Sequence, residues 1–165
     1  MKHKVIVIVG PTAVGKTKLS IRLAKRYHTE IISGDSIAVY KRLNIGSAKP
    51  TKEEMSGIPH HLIDAKEPTE DYSVADFQKS ARVILDRNPL SIICGGTGLY
   101  IQAALFNYEF QSPKRNVSLS KRFEQMTNEE LYQYLKSLDT NLDESKIHPN
   151  NRKRVLRAIE VYENL

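Results

Sequence analysis

The first residues whose types and spacing could do chemistry lie between Gly10 and Thr17, directly after the apolar run Val5–Val9. Their pattern matches G-x-x-x-x-G-K-[ST], a loop whose glycines let successive backbone N–H groups turn onto phosphate oxygens. Lys16 would reach the terminal phosphates, the Thr17 hydroxyl would bind Mg²⁺, and the helix beginning at Lys16 would add its partial positive charge. The segment therefore predicts a di- or triphosphate site, with a plain glycine turn and a surface lysine as the alternative. Its residues are Gly10, Pro11, Thr12, Ala13, Val14, Gly15, Lys16 and Thr17.

The second candidate for chemistry is the carboxylate of Asp35, which follows the strand-like stretch Glu30–Ser33. Phosphate-loop ATPases that do mechanical work usually carry an acidic residue at the end of an apolar strand. Here the apolar stretch Ile92–Cys94 is followed by Gly95-Gly96-Thr97 instead, so Asp35 is the first acid expected near the loop. It could accept a proton from an acceptor, hold the metal, or only cap the next turn.

Strand and helix patterns alternate along the first 109 residues, which predicts an α/β fold with a doubly wound parallel sheet of the P-loop NTPase-like class. Ligands bind at the carboxyl ends of the strands in such sheets, so Gly10–Thr17, Asp35 and Thr97 should converge on one crevice. The first helix has apolar residues at helical spacing, namely Leu19, Leu23, Ala24 and Tyr27. The predicted strands are Val5–Val9, Glu30–Ser33, His61–Asp64 and Leu90–Cys94, and the first of them is expected to be buried. Helix starts are predicted at Lys16, Thr51, Ser73 and Gly98.

A change of pattern near residue 110 predicts a boundary between a core, residues 1–109, and a small helical subdomain, residues 110–165. Residues 111–116 have the composition of a linker, and the sequence beyond them has helical periodicity. In the last helix, Lys153 and Arg157 lie nearly opposite the apolar stripe of Val155, Ile159 and Tyr162 at 100° per residue. Those two cations should face solvent or a partner.

Composition indicates a globular protein with an uneven charge. The 165 residues carry a net charge of +6, and residues 1–50 hold ten Lys or Arg against two acids. A polyanionic partner larger than a nucleotide and simple solvated lysines both fit this excess. No apolar run has the length of a membrane span and no signal peptide pattern precedes the first strand, so we expect a cytoplasmic protein without membrane contact. Cys94 is expected to be a buried, unreactive thiol.

Seven motifs in order closely resemble the bacterial tRNA dimethylallyltransferase family, also called tRNA isopentenyltransferases. The order and spacing of the seven, rather than any one of them, carry the resemblance, which runs nearly end to end. The motifs are Gly10–Thr17, Ser33–Tyr40, Ile45–Pro50, Pro59–Asp64, Ser73–Phe77, Gly95–Tyr100 and Ile147–Asn151.

The resemblance implies transfer of a dimethylallyl group from dimethylallyl diphosphate to N6 of adenosine 37, beside the tRNA anticodon. The phosphate loop would then hold an isoprenoid diphosphate with Mg²⁺ on Thr17, and Asp35 would be the general base, with Lys16 and Thr97 also catalytic. The resemblance further implies that tRNA contacts Asp35, Ser36, Ile37, Ala38 and Thr97 in the core. In the last helix it implies tRNA contact by Lys153, Arg154, Val155, Leu156 and Arg157.

The chain departs from the family in length, because family members are roughly twice as long. The helical part after residue 110 resembles the family's inserted domain, cut off before it returns to the core, so we expect the 165 residues alone to be inactive. The family's tRNA-contacting arginine aligns only loosely, near Ser120-Lys121-Arg122. We expect a monomer. The rival interpretations are a small-molecule kinase, an adenylate isopentenyltransferase acting on AMP, ADP or ATP, and an RNA-binding module with a vestigial loop.

Overall fold

The structure, a computed structural model, describes residues 3–45, 47, 49–108, 110, 122–143 and 145–163. The chain divides into two compact units, Met1–Glu109 and Phe110–Leu165. The expectations for Gly46, Ala48, the linker at 111–116, Ser120 and Lys121 fall outside the described residues. Within the described ranges, no helix combines the length and apolarity that crossing a membrane requires.

The first unit is built on a parallel sheet. Its described strands are β1 (Lys4–Val9), β2 (Ile31–Ser33), β3 (His60–His61) and β4 (Leu90–Gly95), in the spatial order β1-β4-β2-β3. Each neighbouring pair is parallel, with Val5 opposite Ser91 and Ile32 opposite Ile93. The helices of this unit are α1 (Lys16–Tyr27), α2 (Lys52–Met55), α3 (Val74–Leu85) and α4 (Gly98–Leu105).

Both faces of the sheet are covered by helices. Ile31 and Ile92 point to the face that packs on α1, through Ile21 and Ala24. Their sequence neighbours Ile32 and Ile93 point to the other face and pack on α3 and α4, because successive side chains of a strand alternate. The predicted doubly wound α/β fold is therefore confirmed, and burial on both faces explains why β2 and β4 are mostly apolar, with the buried Ser33 and Ser91 as exceptions.

Capping boxes fix the start of three helices. Thr51, Ser73 and Thr127 each accept a hydrogen bond from the backbone N–H three residues on, and the acid at that position bonds back to the cap. The box satisfies two otherwise unpaired helix donors. Two of these starts, at Thr51 and Ser73, were predicted from the same pattern and are confirmed.

Three sequence expectations for the first unit are wrong in detail. The first strand is only partly buried, because β1 lies at the edge of the described sheet: Ile8 is in the core, whereas Val7 is 37% and Val9 60% exposed. The packed face of α1 is Ser20, Ile21 and Ala24, whereas Leu19 and Tyr27 are nearly half exposed. The third strand is shorter than predicted, since positive φ angles at Leu62 and Asp64 end its extended run.

The second unit is helical in its described residues, with α5 (Asn128–Leu138) and α6 (Arg152–Glu163). Its core is formed by Phe123, Leu131, Tyr132, Leu135, Val155 and Ile159, all buried. Arg152, which the sequence did not single out, donates to the carbonyl oxygens of Phe123 at 2.7 Å and Met126 at 2.6 Å. These bonds fasten the segment before α5 to the start of α6.

Candidate active site

The predicted phosphate loop, Gly10–Thr17, leaves the amino end of α1 without a cap. Gly15 is the residue before the helix, with a φ of 86°, a left-handed conformation that glycine adopts without strain. No side chain caps the helix, so the first-turn N–H groups and the partial positive charge of α1 are available to an anion. The Lys16 ammonium donates to the Pro11 carbonyl within the same loop.

Two glycines bring the ends of β2 and β4 into backbone contact. A Cβ built on Gly95 would lie 2.3 Å from the carbonyl carbon and oxygen of Gly34. The Gly34 N–H donates to the Cys94 carbonyl at 2.9 Å, and the Thr97 N–H donates to the Gly34 carbonyl at 3.1 Å. This contact holds the segment after β2, which carries Asp35, against the segment that leads into α4.

Asp35 caps the turn that follows it and still has a free oxygen. Its Oδ1 accepts from the N–H groups of Ile37 at 2.8 Å and Ala38 at 3.2 Å. Within the described part of the chain, Oδ2 has no hydrogen-bond partner. The capping alternative is thus realised by one oxygen, and the other can take a proton or a ligand.

Thr97 holds the same turn from the other side. Its hydroxyl accepts from the Ser36 N–H at 3.1 Å and lies 3.4 Å from the Ser36 hydroxyl, while the helix it precedes, α4, has no side-chain cap. Thr97 therefore fixes the position of the segment that carries Asp35.

A cleft of about 570 Å³ joins the loop to Asp35. Gly10, Pro11, Val14, Ser36, Ile37 and Thr97 are not among the residues that line it, although they flank those that do. The predicted site residues on its wall are Thr12, Ala13, Gly15, Lys16, Thr17, Asp35 and Ala38.

Several polar residues of this cleft were not predicted from the sequence, and three of them, Ser47, Lys49 and His60, are buried or unpaired at its wall. The Lys49 side chain is 5% exposed, and its ammonium bonds to Asp64 at 2.7 Å and to the Tyr40 carbonyl. The Ser47 hydroxyl and His60 Nε2 are buried without a partner among the described residues. All three fall inside motifs of the resemblance, which was the available signal, but their types alone indicated no chemistry.

The protonation state of His60 follows from its surroundings. Its Nδ1 lies 2.8 Å from the Ile58 carbonyl, so Nδ1 carries the proton and Nε2 is an acceptor. Burial lowers the pKa of His60, which favours the neutral ring. His60 and Ser47 thus each place a buried polar atom without a partner among the described residues beside the cleft.

Two other reactive groups near the cleft have structural environments. Burial raises the pKa of the Cys94 thiol, which disfavours the thiolate. Burial raises the pKa of Tyr100 to about 12, and its ring stacks on Phe77 with centroids 4.5 Å apart. Tyr100 packs in the core and is not part of the cleft wall.

Thr17 is the residue of the loop that the sequence predicts to bind Mg²⁺. Its hydroxyl has no hydrogen-bond partner among the residues described, and Thr17 lines the cleft. No group of three or more His, Cys, Asp or Glu side chains that could hold a metal occurs within the described ranges. A cation here would therefore need oxygens from a bound phosphate as well as Thr17.

In the second unit, α6 presents its cations unequally. Lys153 and Arg154 are exposed, Val155 is buried and Leu156 is partly buried. Arg157 donates to Glu160 at 3.0 Å, and the Glu160 side chain is 5% exposed. Lys153 and Arg154 are therefore open to a partner, whereas Arg157 neutralises a buried carboxylate.

Comparison with known proteins decides the family. A family profile described as IPP transferase matches residues 38–165. The chain belongs to the IPP transferase family. A curated relative from Anoxybacillus flavithermus, named tRNA dimethylallyltransferase, is 52% identical over 98% of this chain and 53% of its own length.

Solved structures of family members agree. The Bacillus halodurans tRNA isopentenylpyrophosphate transferase is 44% identical, with a TM-score of 0.63 over 98% of this chain and 56% of its own. A eukaryotic dimethylallyltransferase described as acting on tRNA is 34% identical, with a TM-score of 0.79 over 98% of this chain and 42% of its own. The chain spans about half the length of the curated relatives it matches.

Proposed function

We propose that this chain is the donor-binding and acceptor-activating part of a tRNA prenyltransferase, which moves a dimethylallyl group from dimethylallyl diphosphate to N6 of adenosine 37. The observation that carries the proposal is one cleft lined both by the uncapped amino end of α1 and by Asp35, one of whose oxygens has no partner among the described residues. The open end of α1 and Lys16 line one part of it, and Asp35 lines another. The names of the relatives support transfer of a dimethylallyl group to tRNA.

The loop stabilises the leaving group. As the bond between C1 of the donor and the diphosphate oxygen breaks, the electron pair leaves with the diphosphate. Lys16 would exchange the Pro11 carbonyl for a diphosphate oxygen, and the first N–H groups of α1 would donate to others. Such donors, aimed where charge develops, lower the barrier. Mg²⁺, held by Thr17 and the diphosphate, would supply further charge neutralisation when bound.

Asp35 activates the acceptor. The exocyclic amine of adenosine is a weak nucleophile because its lone pair is delocalised into the ring. Oδ2 of Asp35 would take the N6 proton as the bond from N6 to C1 forms, while Oδ1 stays bonded to Ile37 and Ala38 and fixes the direction of the carboxylate. The base must leave the anticodon stack, at a cost of about a few kcal/mol.

The second unit supplies a contact to the RNA backbone. Lys153 and Arg154 are exposed at the start of α6. Contacts between such cations and phosphates make RNA binding salt-dependent. This unit would orient the tRNA.

The deciding experiment is mass spectrometry of nucleosides from unmodified tRNA incubated with dimethylallyl diphosphate and the full gene product. We expect adenosine to gain one dimethylallyl group at position 37. If ATP rather than dimethylallyl diphosphate protected the protein against thermal unfolding, and no modified nucleoside formed, the result would favour a kinase. A prenylated AMP, with tRNA unchanged, would favour an adenylate isopentenyltransferase.

A further inference from the structure

The exposed face of α1 carries a row of cations that the proposed reaction does not use. The helix contains no Asp or Glu. At 100° per residue these cations fall within an arc of about 100°, opposite the packed face of Ser20, Ile21 and Ala24. We name this row the cationic stripe; it consists of Lys18, Arg22, Lys25 and Arg26.

The stripe is not neutralised by neighbouring acids. Some other cations of the first unit are paired: Lys41 and Arg42 bond to Glu67, and Lys66 bonds to Glu70. In the described ranges, no stripe residue has a hydrogen-bond or ion-pair partner for its side chain. Because like charges on one face add, the stripe should hold a positive potential over α1.

The stripe leads into the cleft. Lys18 and Arg22 line it together with Lys16 and Thr17. Lys25 lies seven residues beyond Lys18, about 10 Å further along the helix. An anion attracted to the exposed face of α1 would therefore meet a continuous row of cations along the helix as far as the loop Gly10–Thr17.

We infer that the cationic stripe captures the diphosphate of the incoming isoprenoid donor and steers it across α1 into the cleft. The inference rests on the proposed function, since it takes the donor to be an isoprenoid diphosphate. Charged walls around a cleft raise association rates by about 10- to 1,000-fold, and the effect falls as salt rises. Charges that the bound ligand does not touch act on the association rate and leave the dissociation rate unchanged.

The test is stopped-flow binding of an anthraniloyl-labelled isoprenoid diphosphate to the chain, in fixed MgCl₂, from low to high NaCl. Lys25→Gln with Arg26→Gln removes the two stripe charges that do not line the cleft and keeps residues with good helix propensity. We expect the association rate at low salt to fall several-fold, the dissociation rate to change less than twofold, and the salt dependence to become shallower.

The matched control is Lys79→Gln with Arg87→Gln, which removes two exposed charges from α3 and the turn after it. Because α3 packs on the other face of the sheet, the association rate of the labelled diphosphate with this control variant should equal that of the wild type. An unchanged association rate in the stripe variant would overturn the inference, and so would an equal loss in the control. If the stripe variant lost affinity for an anticodon stem-loop RNA instead, the stripe would belong to the RNA. No binding of the labelled diphosphate to the wild type would instead contradict the proposed function.

Discussion

At the scale of single residues, the two oxygens of Asp35 have separate tasks. Oδ1 is committed to the N–H groups of Ile37 and Ala38, and Oδ2 has no partner in the described chain. An amide at this position keeps the capping oxygen but cannot accept a proton at its nitrogen. The structure therefore provides a substitution that removes the base and keeps the turn.

We expect Asp35→Asn to lower the rate of prenyl transfer about 100-fold or more and to leave diphosphate affinity within about twofold. Single-turnover transfer and titration of the donor, both on the full gene product, measure the two quantities. Asp71→Asn, at an exposed aspartate, is the control and should have wild-type turnover. Wild-type turnover in Asp35→Asn would exclude Asp35 as the base.

His60 should make stability depend on pH. In the folded protein, burial lowers the pKa of His60 below the ordinary histidine value of 6.5. The unfolded chain therefore binds a proton at this residue more readily than the folded protein does. The contribution of His60 is therefore complete above pH 6.5 and is lost as pH falls through the folded pKa. His60→Asn keeps a donor for the Ile58 carbonyl and should flatten the fall of the unfolding midpoint between pH 7.5 and 5.5.

The control for this pH effect is His148→Asn, which replaces an exposed histidine. Its pH profile should follow that of the wild type. A steep profile that persists in His60→Asn would assign the effect to another group.

At the scale of elements, the site depends on how closely the ends of β2 and β4 approach. We expect Gly95→Ala to lower the free energy of unfolding by about 3 kcal/mol, because its Cβ would lie 2.3 Å from the Gly34 carbonyl. Chemical denaturation measures the loss. Gly98→Ala is the matched control, since among the described residues its Cβ would have no heavy atom within 4 Å beyond its chain neighbours and the backbone of its own helix. This variant should stay within about 1 kcal/mol of wild type. Equal stability of the two variants would remove the role given to this backbone contact.

The cations of α6 should differ in their effect on RNA. Lys153→Gln should weaken binding of an anticodon stem-loop several-fold at low salt and little at high salt. The control Lys146→Gln, at another exposed lysine of the same unit, should not. Fluorescence anisotropy across a salt series checks both, and equal salt slopes for the two variants would contradict a contact through Lys153. Arg157→Gln would also remove an ion-pair partner of the buried Glu160 carboxylate, so this variant is a poor probe of RNA contact.

Sequence patterns predicted the elements well where local signals agreed. The capping boxes at Thr51 and Ser73, and the loop before Lys16, gave the helix starts directly. The packed face of α1 was misjudged because Leu19 and Tyr27 have helical spacing, yet the sheet beneath the helix meets Ile21 and Ala24. The roles of Ser47, Lys49 and His60 depend on burial and long-range partners, which spacing along the chain does not encode.

At the scale of the whole molecule, the two units have separate cores. Ile93 belongs to the core of the first and Leu135 to the core of the second, and both are fully buried. Since a domain boundary is a place that few contacts cross, each unit should respond to its own core substitutions.

We expect Leu135→Ala to destabilise the second unit by about 2–5 kcal/mol and to leave the first unit protected. Hydrogen exchange followed by peptide mass spectrometry measures both units in one sample. Ile93→Ala is the reciprocal variant and should lower protection in β4 and not in α5. Loss of protection in both units from either substitution would show that they unfold together.

The bond between Lys16 and the Pro11 carbonyl has a thermodynamic consequence. Because its ammonium is hydrogen-bonded within the loop, the Lys16 side chain has already lost much of its rotational freedom before the donor binds. On binding, Lys16 exchanges the Pro11 carbonyl oxygen for a diphosphate oxygen. The entropy cost of fixing that side chain falls on folding and not on each encounter with donor. Calorimetric titration of the protein with the diphosphate donor should thus show a smaller unfavourable binding entropy than binding to a disordered lysine would give.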